Sequence, residues 1–206
     1  MEDARGLKEL QLDALKEVAN IGAGHAATAL SQLTGRTVMI NVPEVNVQPL
    51  EEVSELLGRA DEVIAAVLMH MMGDLTGRTL VLFPLSSARV LCDILFRRPA
   101  GGTTEFGVME ESGLKEAGNI LASAYMNALS DFMGMMLVPS VPSLVIDLSA
   151  AILTTAYLNF GHDRDYVFCV ETAFRFEDSP DPLVGHFLLL PDMPSLRAIF
   201  DAIRVT

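Results

Sequence analysis

Basic residues are scarce in this sequence. Its 14 lysines and arginines stand against 27 aspartates and glutamates, which leaves a net charge of −13 at pH 7. The phosphates of nucleic acids and of anionic lipids would repel such a chain at long range. The charge balance therefore argues against nucleic acid and anionic membrane surfaces as partners. It favours partner proteins that expose lysines or arginines.

Cysteine is also rare, and Cys92 and Cys169 have no metal-ligand spacing. Two buried free thiols in a reducing compartment are the expected arrangement. The longest mostly apolar run, 144–160, contains Asp147 and is too short and too polar to span a bilayer. The charged amino end also lacks the apolar segment of a signal peptide. We therefore expect a cytoplasmic protein without membrane insertion.

Apolar residues, by contrast, are abundant: half of the 206 residues are hydrophobic, enough for a sizeable core. Their spacing predicts an amphipathic helix from about Leu10 to Leu33. We expect this helix to bury one apolar face, made of Leu12, Leu15, Val18, Ala26, Ala29, Leu30 and Leu33. The pattern then predicts a strand ending at Pro43, a short helix, a strand hairpin and a helix with a serine N-cap, at 37–42, 51–58, 61–84 and 87–96. The composition of 97–107, RRPAGGTTEFG, is typical of a linker.

The same order of elements recurs after this linker, starting with a second long helix from about Glu110 to Gly134. Adding 99 to a residue number brings twelve positions of the first half onto the same residue type in the second, among them Leu15, Glu17, Asn20, Ile21, Gly35 and Pro43. Further along, the offset grows to 107, where Pro84 aligns with Pro191. The sequence therefore predicts a duplicated unit, with repeats at about 10–97 and 109–204.

Two copies are too few for a solenoid, so we expect one domain, 1–206, with a pseudo-two-fold axis. The fold class is α/β of the α+β type. Because hairpins rather than crossovers connect the strands, the sheet should be mixed or mainly antiparallel. Helices, including the two long ones, should cover one face of it.

Each long helix carries a polar stripe. Asp13, Glu17 and Asn20 are four and three residues apart, so helical geometry aligns them, and the second helix repeats the arrangement with Ser112, Glu116 and Asn119. A solvated helix face is the ordinary explanation of one such stripe. The recurrence of glutamate and asparagine in register favours a function instead, because asparagine is unfavourable in the middle of a helix.

The chemistry of the pair limits what it can do. Asparagine is neither acid nor base, but its amide donates and accepts hydrogen bonds and can position a water molecule. A neighbouring glutamate would repel a phosphate, so an ion pair with a partner's lysine is more plausible. The pair is incomplete as a self-contained active site. It makes sense if the substrate is a protein that brings its own metal and phosphoryl group.

The full motif is an acidic residue or serine, three residues, Glu, two residues, Asn, twenty-two residues and Pro. It occurs at Asp13, Glu17, Asn20 and Pro43 and again at Ser112, Glu116, Asn119 and Pro142. This pattern resembles the CheC family of chemotaxis phosphatases, which is related to CheX and to the phosphatase domain of FliY. The resemblance covers essentially the whole chain. It implies an enzyme that dephosphorylates the phospho-aspartate of the response regulator CheY.

The resemblance also implies roles for these residues. Asn20 and Asn119 would enter the regulator's active site and align the attacking water, while Glu17 and Glu116 would bind the regulator, through its active-site lysine. Asp13 and Ser112 would cap or orient the stripes at the partner contact. Pro43 and Pro142 would be structural, shaping the turn beneath each site. Magnesium would arrive with the regulator, so the chain needs no metal or cofactor of its own.

A second partner is implied as well, the receptor glutamine deamidase CheD, docked around Asp147. From the residues alone, Asp147 or Ser149 could equally be the N-cap of the following helix. The alternative function is an adaptor with little or no hydrolysis, which binds and regulates CheD.

The run MHMM, residues 69–72, could suggest a copper site. Strand alternation instead favours Met69 and Met71 as core residues.

Overall fold

The computed structural model describes residues 9–49, 61–158, 166–176 and 183–205. In these ranges the helices are α1 (Glu9–Thr34), α2 (Leu85–Leu95), α3 (Val108–Met133), α4 (Ser149–Leu158) and α5 (Met193–Val205). The strands are β1 (Val38–Ile40), β2 (Glu44–Pro49), β3 (Val63–Gly73), β4 (Gly77–Pro84), β5 (Leu137–Pro139), β6 (Ser143–Leu148), β7 (Tyr166–Phe176) and β8 (Leu183–Pro191). The short helix predicted at 51–58 lies outside the described residues.

The two long helices end in the same way. Gly35 and Gly134 adopt left-handed backbone conformations, with φ of 67° and 64°. Each donates its backbone N–H to a serine carbonyl one turn earlier, Ser31 for Gly35 and Ser130 for Gly134. Glycine takes this conformation without the steric cost that a Cβ would add. The predicted helix ends are therefore confirmed, and they start equivalent connections into the sheet.

The strands form one sheet in the order β1–β7–β8–β4–β3–β5, with β2 also paired to β7 and β6 to β3. Every strand pair in the described ranges is antiparallel. The prediction of a mainly antiparallel sheet is thus confirmed. The order also shows that the halves exchange strands: β1 and β2 pair with the second half, while β5 and β6 pair with the first.

The registers of the two halves are equivalent. Glu44 of β2 pairs with Glu171 of β7. The equivalent residues of the other half are Ser143, 99 positions after Glu44, and Leu68, 103 positions before Glu171, and these two residues also pair. At the centre of the sheet, Val81 of β4 pairs with Phe187 of β8, which lies 106 positions later. The registers of the β3–β4 and β7–β8 hairpins also match when β4 is aligned with β8 at an offset of 106. The offset of 107 taken from the prolines is therefore wrong for the strands themselves. One extra residue precedes Pro191, which shifts that proline relative to Pro84.

The sheet has a hydrophobic core on each face. One core packs alternate strand residues such as Val67, Val81 and Phe187 against α1, α2, α3 and α5. The other core contains Leu80 and Leu188 together with residues of α4. Helices on one face were expected, and four of the described helices lie there. Helix α4 covers the opposite face, because Ile152 and Leu153 pack against the strand residues that point that way.

Other sequence predictions differ from the structure in detail. Strand formation does not stop at Pro43, because β2 begins at the next residue and the proline lies between two short strands. Helix α2 begins at Leu85 after Pro84, and no side chain caps its amino end, so the predicted serine cap is wrong. No helix in the described ranges has both the length and the apolar character needed to cross a bilayer.

Candidate functional site

The structure places both stripes on the solvent side of the two long helices. Glu17 and Asn20 are exposed on α1, Glu116 is exposed on α3, and Asn119 is half-buried. Within the described part of the chain, none of these four side chains has a hydrogen-bonding or ion-pair partner of its own. A carboxylate and a carboxamide free of internal partners can turn toward another molecule without breaking a bond first.

Burial of the opposite faces fixes this orientation. Leu15, Val18, Ala26 and Leu30 are buried beneath α1, as the periodicity predicts. Two residues of the predicted face are exceptions: Ala29 is half-buried, and Leu33 is 39% exposed at the end of the helix. The side chain of Leu12 lies outside the described ones. The amphipathic pattern therefore suffices to aim the first stripe away from the core.

The two long helices touch closely at Gly22. A Cβ atom built there would lie 2.6 Å from Cδ1 of Tyr125 and 3.1 Å from its Cα. Tyr125 itself is 5% exposed, and its ring stacks on Phe187 with 4.9 Å between the ring centroids. Its hydroxyl is hydrogen bonded to that of Thr172, and burial raises the pKa of the phenol to about 12. The tyrosine thus holds α3 to the sheet directly beside α1.

A second glycine brings α3 close to the sheet. A Cβ built at Gly118 would lie 2.7 Å from Cβ of Val67, a fully buried residue of β3. The position equivalent to Gly118 in α1 is Ala19. Asn119 follows Gly118 directly, so the second stripe rests on a helix seated closely on β3.

The segment before α3 is an ordered connection rather than a simple linker. The buried carboxylate of Asp93 accepts backbone hydrogen bonds from Gly101 and Thr103, at 2.8 and 2.7 Å. Arg98 donates to a carboxylate oxygen of Glu110 at 2.6 Å, and Gly107 donates its N–H to the other oxygen at 2.8 Å. The hydrogen bond from Arg98 lowers the pKa of the Glu110 carboxyl. These contacts fix the amino end of the helix that carries the second stripe.

The outer stripe residues differ between the halves. Asp13 is exposed and lies 3.4 Å from Nζ of Lys16, one turn along α1. Ser112 is exposed at the equivalent place in α3. The first stripe therefore has a local ion pair at this position that a serine cannot form.

The structure also locates the remaining residues of the sequence pattern. Pro43 is buried between β1 and β2, and Pro142 is half-buried between β5 and β6. Asp147 is exposed near the end of β6, where its carboxylate accepts the N–H of Leu148 at 2.7 Å. It pairs with Ile64 in the sheet, away from both long helices. The expected roles of these three residues stay predictions.

One exposed apolar residue of the site was not assigned a role from the sequence. Ile21, directly after Asn20, is 44% exposed, so it adds an apolar contact surface beside the polar groups of the stripe. Ile120 occupies the equivalent place after Asn119 and is half-buried. The recurrence of isoleucine at the offset of 99 was the available signal.

The alternation predicted around His70 is confirmed, since Met69 and Met71 are buried while His70 and Met72 are exposed. In the described ranges, no three His, Cys, Asp or Glu residues are grouped as metal ligands. Cys92 and Cys169 are buried free thiols, and burial raises their pKa values to about 11 and about 12. Thiols held protonated in this way are poor nucleophiles.

The chain is thus a two-fold domain with an antiparallel sheet and a glutamate–asparagine stripe on each long helix. Comparison with known proteins identifies the family to which this domain belongs. The profile of the CheC-like family matches residues 10–47 and again 109–146. The chain is 34% identical over 200 residues to the CheY-P phosphatase CheC of Bacillus subtilis, covering 96% of each chain. The chain belongs to the CheC-like family.

Other relatives extend the comparison. The flagellar motor switch phosphatase FliY of Bacillus subtilis is 28% identical over 125 residues, which cover 60% of this chain and 32% of FliY. The crystal structure of Thermotoga maritima FliY has a TM-score of 0.73 at 20% identity, covering 97% of this chain and 98% of that one. The CheX–CheY–BeF3–Mg²⁺ complex of Borrelia burgdorferi has a TM-score of 0.50 at 13% identity, covering 83% and 96%. These structures share the fold.

Proposed function

We propose that this protein dephosphorylates the phospho-aspartate of the response regulator CheY, with two active stripes. The observation that carries the proposal is the pair of Glu–Asn sets on two equivalent helices, Glu17 with Asn20 and Glu116 with Asn119. Three of these side chains are exposed and that of Asn119 is half-buried, and none has a bonding partner among the described residues. Support comes from the relative named as a CheY-P phosphatase, which aligns with 96% of this chain. The protein is thus proposed to be a hydrolase.

The proposed mechanism uses the asparagines for position rather than proton transfer. The carboxamide of Asn20 or Asn119 would hold a water molecule in line with the phosphorus–oxygen bond of the acyl phosphate. The water oxygen attacks phosphorus, the bond to the aspartate oxygen breaks, and inorganic phosphate and the free carboxylate are released. Magnesium, brought by the regulator, would neutralise charge on the phosphoryl oxygens.

The glutamates would serve as anchors. Glu17 and Glu116 lie one turn before the asparagines, so each can reach a basic group beside the phosphorylated aspartate while the amide faces the phosphorus. The active-site lysine of the regulator is the proposed partner of each carboxylate. The chain's net charge of −13 would add a general attraction for a basic surface.

The test is phosphate release from phosphorylated CheY with Asn20→Ala, Asn119→Ala and the double variant. Loss of a positioning group that aligns the water should cost on the order of a hundredfold at each stripe. Each single variant should therefore keep part of the activity, and the double variant should lose it. Asn41→Ala is the matched control, because Asn41 is an exposed asparagine in the connection between β1 and β2. Full activity in the double variant would contradict the proposal.

The second candidate is the adaptor that binds CheD with little hydrolysis. The exposure of Asp147 on β6, which is paired on one side by β3, favours a partner contact at this edge. Titration of CheD, with and without phosphorylated CheY, separates the two functions. An unchanged phosphate lifetime combined with a shift in CheD affinity would favour the adaptor. Asp147→Ala should weaken CheD binding without changing phosphate release.

A further inference from the structure

We infer that a regulator bound at one stripe blocks the other, so that the protein binds a single phosphorylated regulator at a time. This inference rests on the proposed function and concerns how its two sites share a surface. It follows from the close approach of α1 and α3, from the positions of the asparagines along these helices, and from the area that a protein partner needs.

The distance between the stripes is short. The helices meet at Gly22 and Tyr125, where a Cβ on one would lie 3.1 Å from a Cα of the other, so their axes are about 8 Å apart. At a rise of about 1.5 Å per residue, Asn20 is roughly 3 Å along α1 from this contact and Asn119 roughly 9 Å along α3. Whatever the helix directions, the two positions on the axes are therefore within about 20 Å of each other.

The two-fold relation between the halves narrows this estimate of the distance between Asn20 and Asn119. Its axis passes through the central antiparallel pair Val81–Phe187 and is perpendicular to the sheet, so it reverses the direction of any element lying on the sheet. Helices α1 and α3 are related by this axis and therefore run antiparallel. Asn20 and Asn119 then lie on opposite sides of the contact, about 15 Å apart along the helix surfaces.

A protein partner needs more room than this. Even a weak, transient interface buries on the order of 600 Å² of each partner, roughly a disc of 14 Å radius. Two discs centred on the asparagines would need about 28 Å between centres to avoid overlap. Both helices cover the same face of the sheet and expose their stripes on the side away from it. The footprints therefore overlap, and occupation of one stripe excludes the other.

Exclusion has a kinetic signature that independent sites lack. At low regulator concentration most protein is free, so the contributions of the two stripes to kcat/KM add. At saturation each molecule uses one stripe at a time, so kcat becomes a weighted mean of the two stripe rates. It then cannot exceed the kcat of the faster stripe alone. Independent sites would instead give a kcat equal to the sum.

The experiment compares the wild-type protein with two single-stripe variants, Glu17→Ala/Asn20→Ala and Glu116→Ala/Asn119→Ala. The expected wild-type kcat/KM is the sum of the two variants' values, and the expected wild-type kcat lies between theirs. Calorimetric titration with CheY activated by beryllofluoride and Mg²⁺ should give one regulator per chain for all three proteins. Two regulators per wild-type chain, or additive kcat values, would overturn the inference while leaving the proposed function intact. Absence of binding to all three would refute the proposed function, and this inference with it.

A blocking variant tests the shared surface directly. Gly24 is exposed, lies two residues from Gly22, and has no atom within 4 Å of a Cβ built on it, so a large side chain fits without disturbing the fold. Gly24→Trp should lower kcat/KM at least tenfold in both single-stripe variants. The control is Thr154→Trp on α4, exposed on the opposite face of the sheet, which should change neither. A loss confined to the stripe on α1 would show separate footprints and overturn the inference.

Discussion

Gly118 offers the sharpest test of how the second stripe is seated. Replacing it with alanine places a methyl group 2.7 Å from Cβ, 2.8 Å from Cγ1 and 2.7 Å from Cγ2 of Val67. Val67 is fully buried and β-branched, so it cannot rotate away. Overpacking of this kind costs about 1–3 kcal/mol, whereas Gly to Ala in a helix gains about 1 kcal/mol. We expect a net loss of up to about 2 kcal/mol in the free energy of unfolding, which leaves Gly118→Ala less stable than an unhindered Gly to Ala change by about 1–3 kcal/mol.

Urea unfolding measures this loss, and thermal unfolding should show a decrease of up to roughly 8 °C in the midpoint. Gly24→Ala is the matched control, because a Cβ there has no neighbour within 4 Å, and it should raise stability by up to about 1 kcal/mol. In a Val67→Ala background, the cost of Gly118→Ala should be smaller, since two of the three close contacts are gone. If Gly118→Ala stabilises the protein as much as Gly24→Ala does, the close seating of α3 on β3 is refuted.

Three further substitutions test other features of the structure. Burial depresses the pKa of His186 below 6.5, against the opposing effect of Glu171, so the folded protein binds fewer protons than the unfolded chain in this range. The free energy of unfolding should therefore fall as the pH is lowered through about 6.5. In urea unfolding at several pH values, His186→Gln should make this fall smaller. An unchanged pH dependence in the variant would contradict the role given to His186. Arg97 has a φ of 53°, so Arg97→Gly should raise the free energy of unfolding by up to about 1 kcal/mol, and a decrease would show that its side chain matters more than its backbone. Tyr125→Phe leaves the buried hydroxyl of Thr172 without this partner and should cost about 1–2 kcal/mol, a loss that unchanged chemical unfolding would disprove.

The elements that sequence reasoning predicted are those determined by local pattern. The periodicity of α1 and α3 reports burial along a single helix, and the spacing of Glu17 and Asn20 becomes a stripe through helix geometry alone. Gly35 and Gly134 end their helices because glycine itself adopts the left-handed backbone conformation. These features needed no knowledge of distant partners.

The features that were missed depend on residues far apart in the chain. Strand β2 resumes after Pro43 because β7 provides a ladder there, and no local signal announces that neighbour. The composition of 97–107 resembles a linker, yet Asp93 before it and Glu110 within the next helix order it through Arg98 and backbone amides. The contact of Gly22 with Tyr125 likewise joins two helices about a hundred residues apart in the chain.

The exchange of edge strands has a consequence for how such a protein can be divided. Cutting the chain between the repeats would not release two small domains, because each half would leave its β1–β2 or β5–β6 segment without the strand that it pairs with in the other half. A lone half could satisfy those backbone groups by pairing with a second copy of itself, in the registers that β7 and β3 now provide. The single chain is in this sense a covalently joined homodimer, and its two-fold axis is where the subunit boundary of such a dimer would lie.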